Sequence, residues 1–160
     1  MKKDTVAFCF DIKESLCVLR EGSYGWNKEL NIVSWNDGDP KYDIRDWSPD
    51  HERMSRGVVL TKGEMADLVA ALEARLKKPF PGDKCLHESW EGDIHIRVYE
   101  SLCKLTTNAQ GWQKEATITS WNDGEPKVDI RFWAPGYGRM ARGVTLTQAE
   151  ARTLVEAMKS

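Results

Sequence analysis

Apolar and polar residues alternate from the start of the chain. Phe8, Phe10 and Ile12 share one side of a two-residue period, which resumes at Leu16 and Val18 after Glu14. That pattern predicts a strand over 8–19 with a bend near Glu14-Ser15. Turn residues fill Gly22 to Gly25, a second strand is expected over 26–35, and Asn36-Asp37-Gly38 with Pro40 marks a tight turn into a third strand at 41–47. A loop through Pro49 and Met54 leads to a short fourth strand, 56–60. The period then changes to that of a helix: Met65, Leu68, Val69, Leu72 and Leu76 form one stripe. Thr61 and Glu64 ahead of it fit a capping box, in which hydroxyl and carboxylate satisfy two otherwise orphaned amides.

The same order then repeats. Ser34-Trp35-Asn36-Asp37-Gly38, Pro40-Lys41, Asp43-Ile44-Arg45 and Trp47 return 86 residues later as Ser120-Trp121-Asn122-Asp123-Gly124, Pro126-Lys127, Asp129-Ile130-Arg131 and Trp133. Between 14–72 and 100–158 about 33 of 59 positions are identical. Two copies are too few for a solenoid, so the expectation is a fused homodimer. The fold class is α+β: two tandem ββββα units at 1–77 and 91–160, joined by a linker at 78–90. The chain is expected to be a monomer with internal two-fold pseudo-symmetry, its halves paired through the helices at 61–76 and 147–158.

Strand geometry sorts the side chains by face. In the third strand Tyr42 and Ile44 point one way and Lys41, Asp43, Arg45 and Trp47 the other. In the second copy Val128, Ile130 and Phe132 oppose Lys127, Asp129, Arg131 and Trp133. Leu30 and Ile32 (Ala116 and Ile118) belong to the core side, and Trp26 and Trp112 open their strands at core parity. Trp121, by contrast, shares a side with Gln113, Glu115, Thr117 and Thr119. Each copy therefore sets two cations and two indoles on a polar sheet surface. Cations neutralise phosphates, and flat aromatics accept unstacked bases at roughly 1–3 kcal/mol each. The plainer alternative is that Trp47 and Trp133 plug the end of the sheet. Asp43, Asp129, Glu29 and Glu115, beside Lys or Arg, read as solvated charge.

Composition narrows the classes. At 160 residues, 41% apolar and a formal charge of -2, the chain has no global basic field, so any nucleic-acid binding is local. No apolar run is long enough to span a membrane, and Met1-Lys2-Lys3-Asp4 does not read as a signal peptide, so a cytoplasmic, nucleoid-associated setting is expected. Cys9, Cys17, Cys85 and Cys103 lack metal-type spacing; Cys17 and Cys103 read as buried free thiols. His51, His87 and His95 do not recur between copies, and no nucleophile motif or phosphate-cradling glycine loop is present. Neither an enzyme nor a cofactor is expected.

The stretch from Gly25-Trp26-Asn27-Lys28 through Ser34-Trp35-Asn36-Asp37-Gly38, Pro40-Lys41-Tyr42-Asp43-Ile44-Arg45-Asp46-Trp47 and Arg56-Gly57-Val58, present in both copies, resembles the YdbC-like branch of the transcriptional positive cofactor four family. The resemblance implies an antiparallel sheet followed by a helix, dimerised through its helices, that binds single-stranded DNA without sequence preference. It places the base-stacking aromatic near Trp35 and Trp121, and the strand cation and its neighbour near Arg45 and Trp47, Arg131 and Trp133. The basic residue before the fourth strand falls on Arg56 and Arg142. With Lys41, Lys127, Arg53 and Arg139 these make up the expected binding set. Transcription regulation, replication and repair are the settings implied; coactivator function is inherited only as a family name. Single-stranded RNA, or a transcription or replication protein docked on the Trp-bearing surface, are the alternatives. The halves are also expected to differ. Between 26 and 60 five cations face seven carboxylates, and between 112 and 146 five face four, so the second copy should hold a strand more tightly.

Overall fold

The computed structural model describes residues 8–80 and 85–160. The first half runs β1 (Phe10–Glu21), β2 (Asn27–Trp35), β3 (Lys41–Trp47), β4 (Val58–Leu60) and α1 (Lys62–Arg75). The second runs β5 (His87–Glu91), β6 (Ile94–Thr107), β7 (Gln113–Trp121), β8 (Lys127–Trp133), β9 (Val144–Leu146) and α2 (Gln148–Lys159). All pairings are antiparallel, in two sheets ordered β1-β2-β3-β4 and β5-β6-β7-β8-β9. The second sheet thus has a strand more than the expected four. β5 comes from the segment read as linker, whose Pro-Gly composition ends at Gly82; His87 to Glu91 pairs along the first part of β6. The positions 86 residues before β5 lie outside the described residues.

The bend expected near Glu14-Ser15 is a pair of bulges, where the register shifts between Ile12 and Glu14 and again between Ser15 and Cys17; β6 repeats it after Val98 and Ser101. Such bulges increase local twist and let a long strand curl over its neighbours. Both helices start at the foreseen capping boxes: Thr61 with Glu64, and Thr147 with Glu150.

One hydrophobic core serves both halves. Leu30, Ile44, Leu60, Met65, Leu68 and Leu72 share it with Val128, Ile130, Leu146, Ala151, Leu154 and Val155. α1 packs on β6 and α2 on β1, so each helix covers the other half's sheet as well as its partner helix. Polar ties follow the same reciprocity. Lys28 donates to the Thr145 carbonyl at 2.6 Å and to Glu150 at 3.0 Å. Lys114 donates to the Val59 carbonyl at 2.8 Å and to Glu64 at 3.1 Å. The capping glutamates therefore do two jobs: each closes its own helix and holds a lysine from the opposite half. Among the described residues no helix is long and apolar enough to cross a membrane.

Candidate nucleic-acid interface

The turn after β2 presents the first functional side chain. Trp35-Asn36-Asp37-Gly38 closes with the Gly38 amide donating to the Trp35 carbonyl, and Asn36 and Asp37 have φ of 52° and 61°. Positive φ at both central residues is the hairpin geometry that matches strand twist, and Asn and Asp tolerate it best after glycine. Asn122 and Asp123 repeat the values at 52° and 61°. Each turn thus fixes a tryptophan at the last position of its strand.

On the sheet face away from the helices that indole joins a stack. Trp35 lies on Trp47 with ring centres 6.3 Å apart and planes 14° off parallel; Trp121 lies on Trp133 at 6.3 Å and 13°. The Arg45 guanidinium covers Trp35 at 4.5 Å, and Arg131 covers Trp121 at 4.5 Å. Each arginine is held by a fork to the aspartate two residues earlier on the same strand face. Arg45 reaches Asp43 at 2.7 and 2.8 Å, and Arg131 reaches Asp129 at 2.6 and 2.7 Å. A bond to the Ser55 or Ala141 carbonyl completes each guanidinium. Gly57 and Gly143 let the incoming chain pass so close, since a Cβ at either would stand 2.2 Å from the carbonyl oxygen of Ile44 or Ile130.

Three expectations are corrected here. Trp47 and Trp133 are 0% and 1% exposed, so neither can meet a base; they floor the stack, which is the plugging role left open above. Asp43 and Asp129 are fully buried, and Glu29 and Glu115 nearly so, rather than solvated. Glu29 is bonded by His51 and Asn31, and Glu115 by Tyr137. Burial pushes the Asp43 and Asp129 carboxyls up, opposed by the facing guanidiniums. Burial and the Glu115 carboxylate together push the Tyr137 hydroxyl up. Third, Arg45 and Arg131 are not free strand cations. Their charge is matched at contact distance, and what they do in this structure is hold an indole plane.

The rest of the expected set is more accessible. Trp35 and Trp121 are half-buried, each held between its arginine and the buried tryptophan. Lys41, Arg53, Arg56, Arg139 and Arg142 are exposed and Lys127 is half-buried. Arg53 leans over Trp26 at 5.5 Å. The arrangement offers, in each half, a rigid, arginine-capped indole ledge edged by solvent-exposed cations: a partly exposed aromatic group for a base and diffuse charge for phosphates. Residues outside the expected binding set also belong to it. Phe8 and Phe10 wall Trp35 at 5.4 and 5.8 Å, and Glu29 with His51 braces the stack from beneath. The retained pairing of a strand aspartate with an arginine two residues on was the available signal for the buried fork.

Two comparisons bear on this geometry. The family model for Transcriptional Coactivator p15 (PC4) matches residues 23–71 and again 108–157. Each match covers the tryptophan-bearing strand (β2 or β7), the turn, the stack and most of the helix of one half. An uncharacterized protein of Treponema pallidum (strain Nichols) is 40% identical over 68 residues, 42% of this chain and 80% of that protein, which therefore has room for one copy of the repeat and not two. With the family pattern met twice, and over most of its length, the chain belongs to the Transcriptional Coactivator p15 (PC4) family as a tandem duplication.

Proposed function

We propose that this protein binds single-stranded DNA without regard to sequence, through the indole ledges and surrounding cations of both halves. The observation that carries the reading is the twofold occurrence of a half-exposed tryptophan locked between an arginine and a buried tryptophan. A side chain that served only to fill the sheet would not need an arginine to hold it rigid at the surface. Preorganisation of this kind lowers the cost of ordering a stacking partner, and stacking is tolerant of base identity. Trp35 and Trp121 are the base-contacting residues in this reading. Lys41, Arg53, Arg56, Lys127, Arg139 and Arg142 neutralise phosphates, and Arg45 and Arg131 position the indoles. The two halves stand as the two subunits of a fused dimer, and the chain is a monomer in solution.

Affinity for oligo-dT measured against salt tests it, with the RNA counterpart and a duplex of equal length alongside. Binding should favour the single strand and fall steeply with ionic strength, by counterion release. Replacing both Trp35 and Trp121 with Ala should cost roughly 1–3 kcal/mol per lost stack while the fold survives. Unchanged affinity in the folded double mutant would remove the stacking assignment. Salt-insensitive binding of a protein partner, with no oligonucleotide bound, would replace the reading with a docking surface.

A further inference from the structure

The junction of the two halves forms a half-open cavity of about 220 Å³ whose wall is drawn from both. Arg20, Lys28, Arg45 and Arg56 line it from the first half and Lys127 from the second, with Asp46 and Glu150 as its carboxylates. Some of that charge is already engaged: Lys28 is bonded to Glu150, and Arg45 to Asp43. Arg20 stands 3.8 Å from Glu150 with its side chain 59% exposed, and no carboxylate of the described residues pairs with Arg56 or Lys127. A second cavity, of about 310 Å³, starts at Trp121 and Arg131 and shares Lys127 and Thr145 with the first. A path therefore leads from the indole ledge of the second half into the cationic junction and ends beside Arg45 and Arg56.

We propose that the junction cavity is a phosphate-binding site, formed on this side of the molecule and closed on the other. Arg56 and Lys127 are the unpaired donors, and Arg20 swings onto the anion from the rim. Guanidinium forks and an ammonium are the groups that recognise phosphate oxygens. The position related by the 86-residue offset shows why one side is chosen. Thr106 stands there for Arg20, its hydroxyl bonded to Glu64, and Phe132 stands for Asp46, its ring centre 5.5 Å from the Lys114 ammonium. Charge does not separate the two sides, because one cation and one carboxylate are exchanged together. Space does: an aromatic ring lies against the lysine where the first side has an open carboxylate. The phosphate can come from the backbone of a bound strand crossing between halves, a source that rests on the function proposed above, or from a free phosphorylated molecule.

Titration calorimetry at low salt with inorganic pyrophosphate, and separately with oligo-dT, decides between these. The wild-type chain should take one pyrophosphate. Asp46→Phe, which installs the counterpart's ring, should weaken that binding by about tenfold or more, and Arg20→Thr should weaken it several-fold, as loss of charged donors does. The double change Thr106→Arg with Phe132→Asp should open a second site. If the first two variants also weaken oligo-dT, the strand supplies the phosphate, including where pyrophosphate alone does not bind. If only pyrophosphate is lost, the ligand is a free phosphorylated molecule. Pyrophosphate binding insensitive to both variants, or no pyrophosphate binding together with unaltered oligo-dT affinity, overturns the site. Arg20→Thr changes an exposed side chain and keeps the test open if Asp46→Phe misfolds. Failure of oligo-dT to bind at all would remove the single-strand reading and leave the pyrophosphate result to judge the cavity.

Discussion

In the first half the buried Trp47 is walled by Phe10 at 5.2 Å and His51 at 5.7 Å; in the second, Trp133 is walled by Ile96, Val98 and the edge of Tyr137 at 5.3 Å. The buried carboxylate beneath is satisfied by a histidine on one side and a tyrosine on the other. Yet the spacing of the two indoles, the height of the arginine and the fork to aspartate agree between halves to about a tenth of an ångström. What was free to vary is the packing behind the stack, where any set of groups of the right volume and polarity will do. What did not vary is the constellation that fixes the outer indole.

The largest effect should come from that shared floor. Trp47→Ala and Trp133→Ala should each destabilise the chain by about 3–5 kcal/mol, the usual cost of emptying a buried aromatic site, measured by urea unfolding. Because the flooring role is common, the two costs should match closely. A much smaller loss at Trp133 would mean that the aliphatic wall of Ile96 and Val98 can collapse into the space, and that backing matters more than the stack.

The legible part of the molecule was the part governed by one periodicity at a time. The succession of elements from β1 to α1 and from β6 to α2, the Asn-Asp turns, the capping boxes at Thr61 and Thr147 and the helical stripe all follow from local spacing, and all are present. The face with Asp43, Arg45 and Trp47 was identified from its parity but misjudged in its depth. Alternation tells which residues share a side; it does not tell whether that side meets water. Here the bulged first strand and the aromatic wall cover it, so carboxylates that read as solvated are buried and paired within the fold. β5 was missed for a different reason: five residues with no partner in sequence gain strand structure only from the exposed edge of β6. Lys28 and Lys114 likewise gave no local sign of bonding helices from the opposite half.

The junction glutamates sharpen the comparison next. Burial alone would raise the Glu64 carboxyl, but the Thr106 hydroxyl, the Thr61 amide and the Lys114 ammonium outweigh it and hold the group below its ordinary value. A depressed folded value means stability that is present above the unfolded value, about 4.3, and is lost as pH falls through the folded one. Glu64→Gln should therefore lower the unfolding free energy from urea titration at pH 7 by about 2 kcal/mol, for a charged hydrogen-bond partner removed, and flatten the decline below pH 4. Glu150→Gln is the control at the equivalent position, where Arg20 stands in place of Thr106. An acid branch unchanged by Glu64→Gln would show that the junction is not what acid unfolds.

A smaller difference is expected in binding. The first half crowds its cations with Asp46, Asp50 and Glu52, which become Phe132, Gly136 and Gly138 in the second. Lys127 also lies on the path between the two cavities. Lys127→Ala should weaken oligo-dT binding more than Lys41→Ala, by under about 1 kcal/mol at low salt, with the gap closing as salt rises. These lysines make a cleaner test than Arg45 and Arg131, whose removal would strand a buried aspartate and cost stability as well. Equal losses, or a larger one at Lys41, would break the proposed inequality between halves.

The slightest effect separates the paired thiols. Cys17 and Cys103 are equivalent, free and half-buried, facing the shared core. Burial pushes both thiols up, and at Cys103 the carboxylates of Asp67 and Glu115 add to it, bringing that group to about 11. The thiolate is the attacking species, so a raised value slows alkylation at any pH well below it. At pH 8, iodoacetamide followed by peptide mapping should label the exposed Cys9 and Cys85 first, Cys17 later and Cys103 last. Raising the pH towards 10 should speed the labelling of Cys103 steeply, because its thiol is still gaining thiolate there. Labelling of Cys103 as fast as Cys9 in the folded chain would mean that α1 does not stay closed over β6, and the shared core would then be a looser junction than its reciprocal lysines imply.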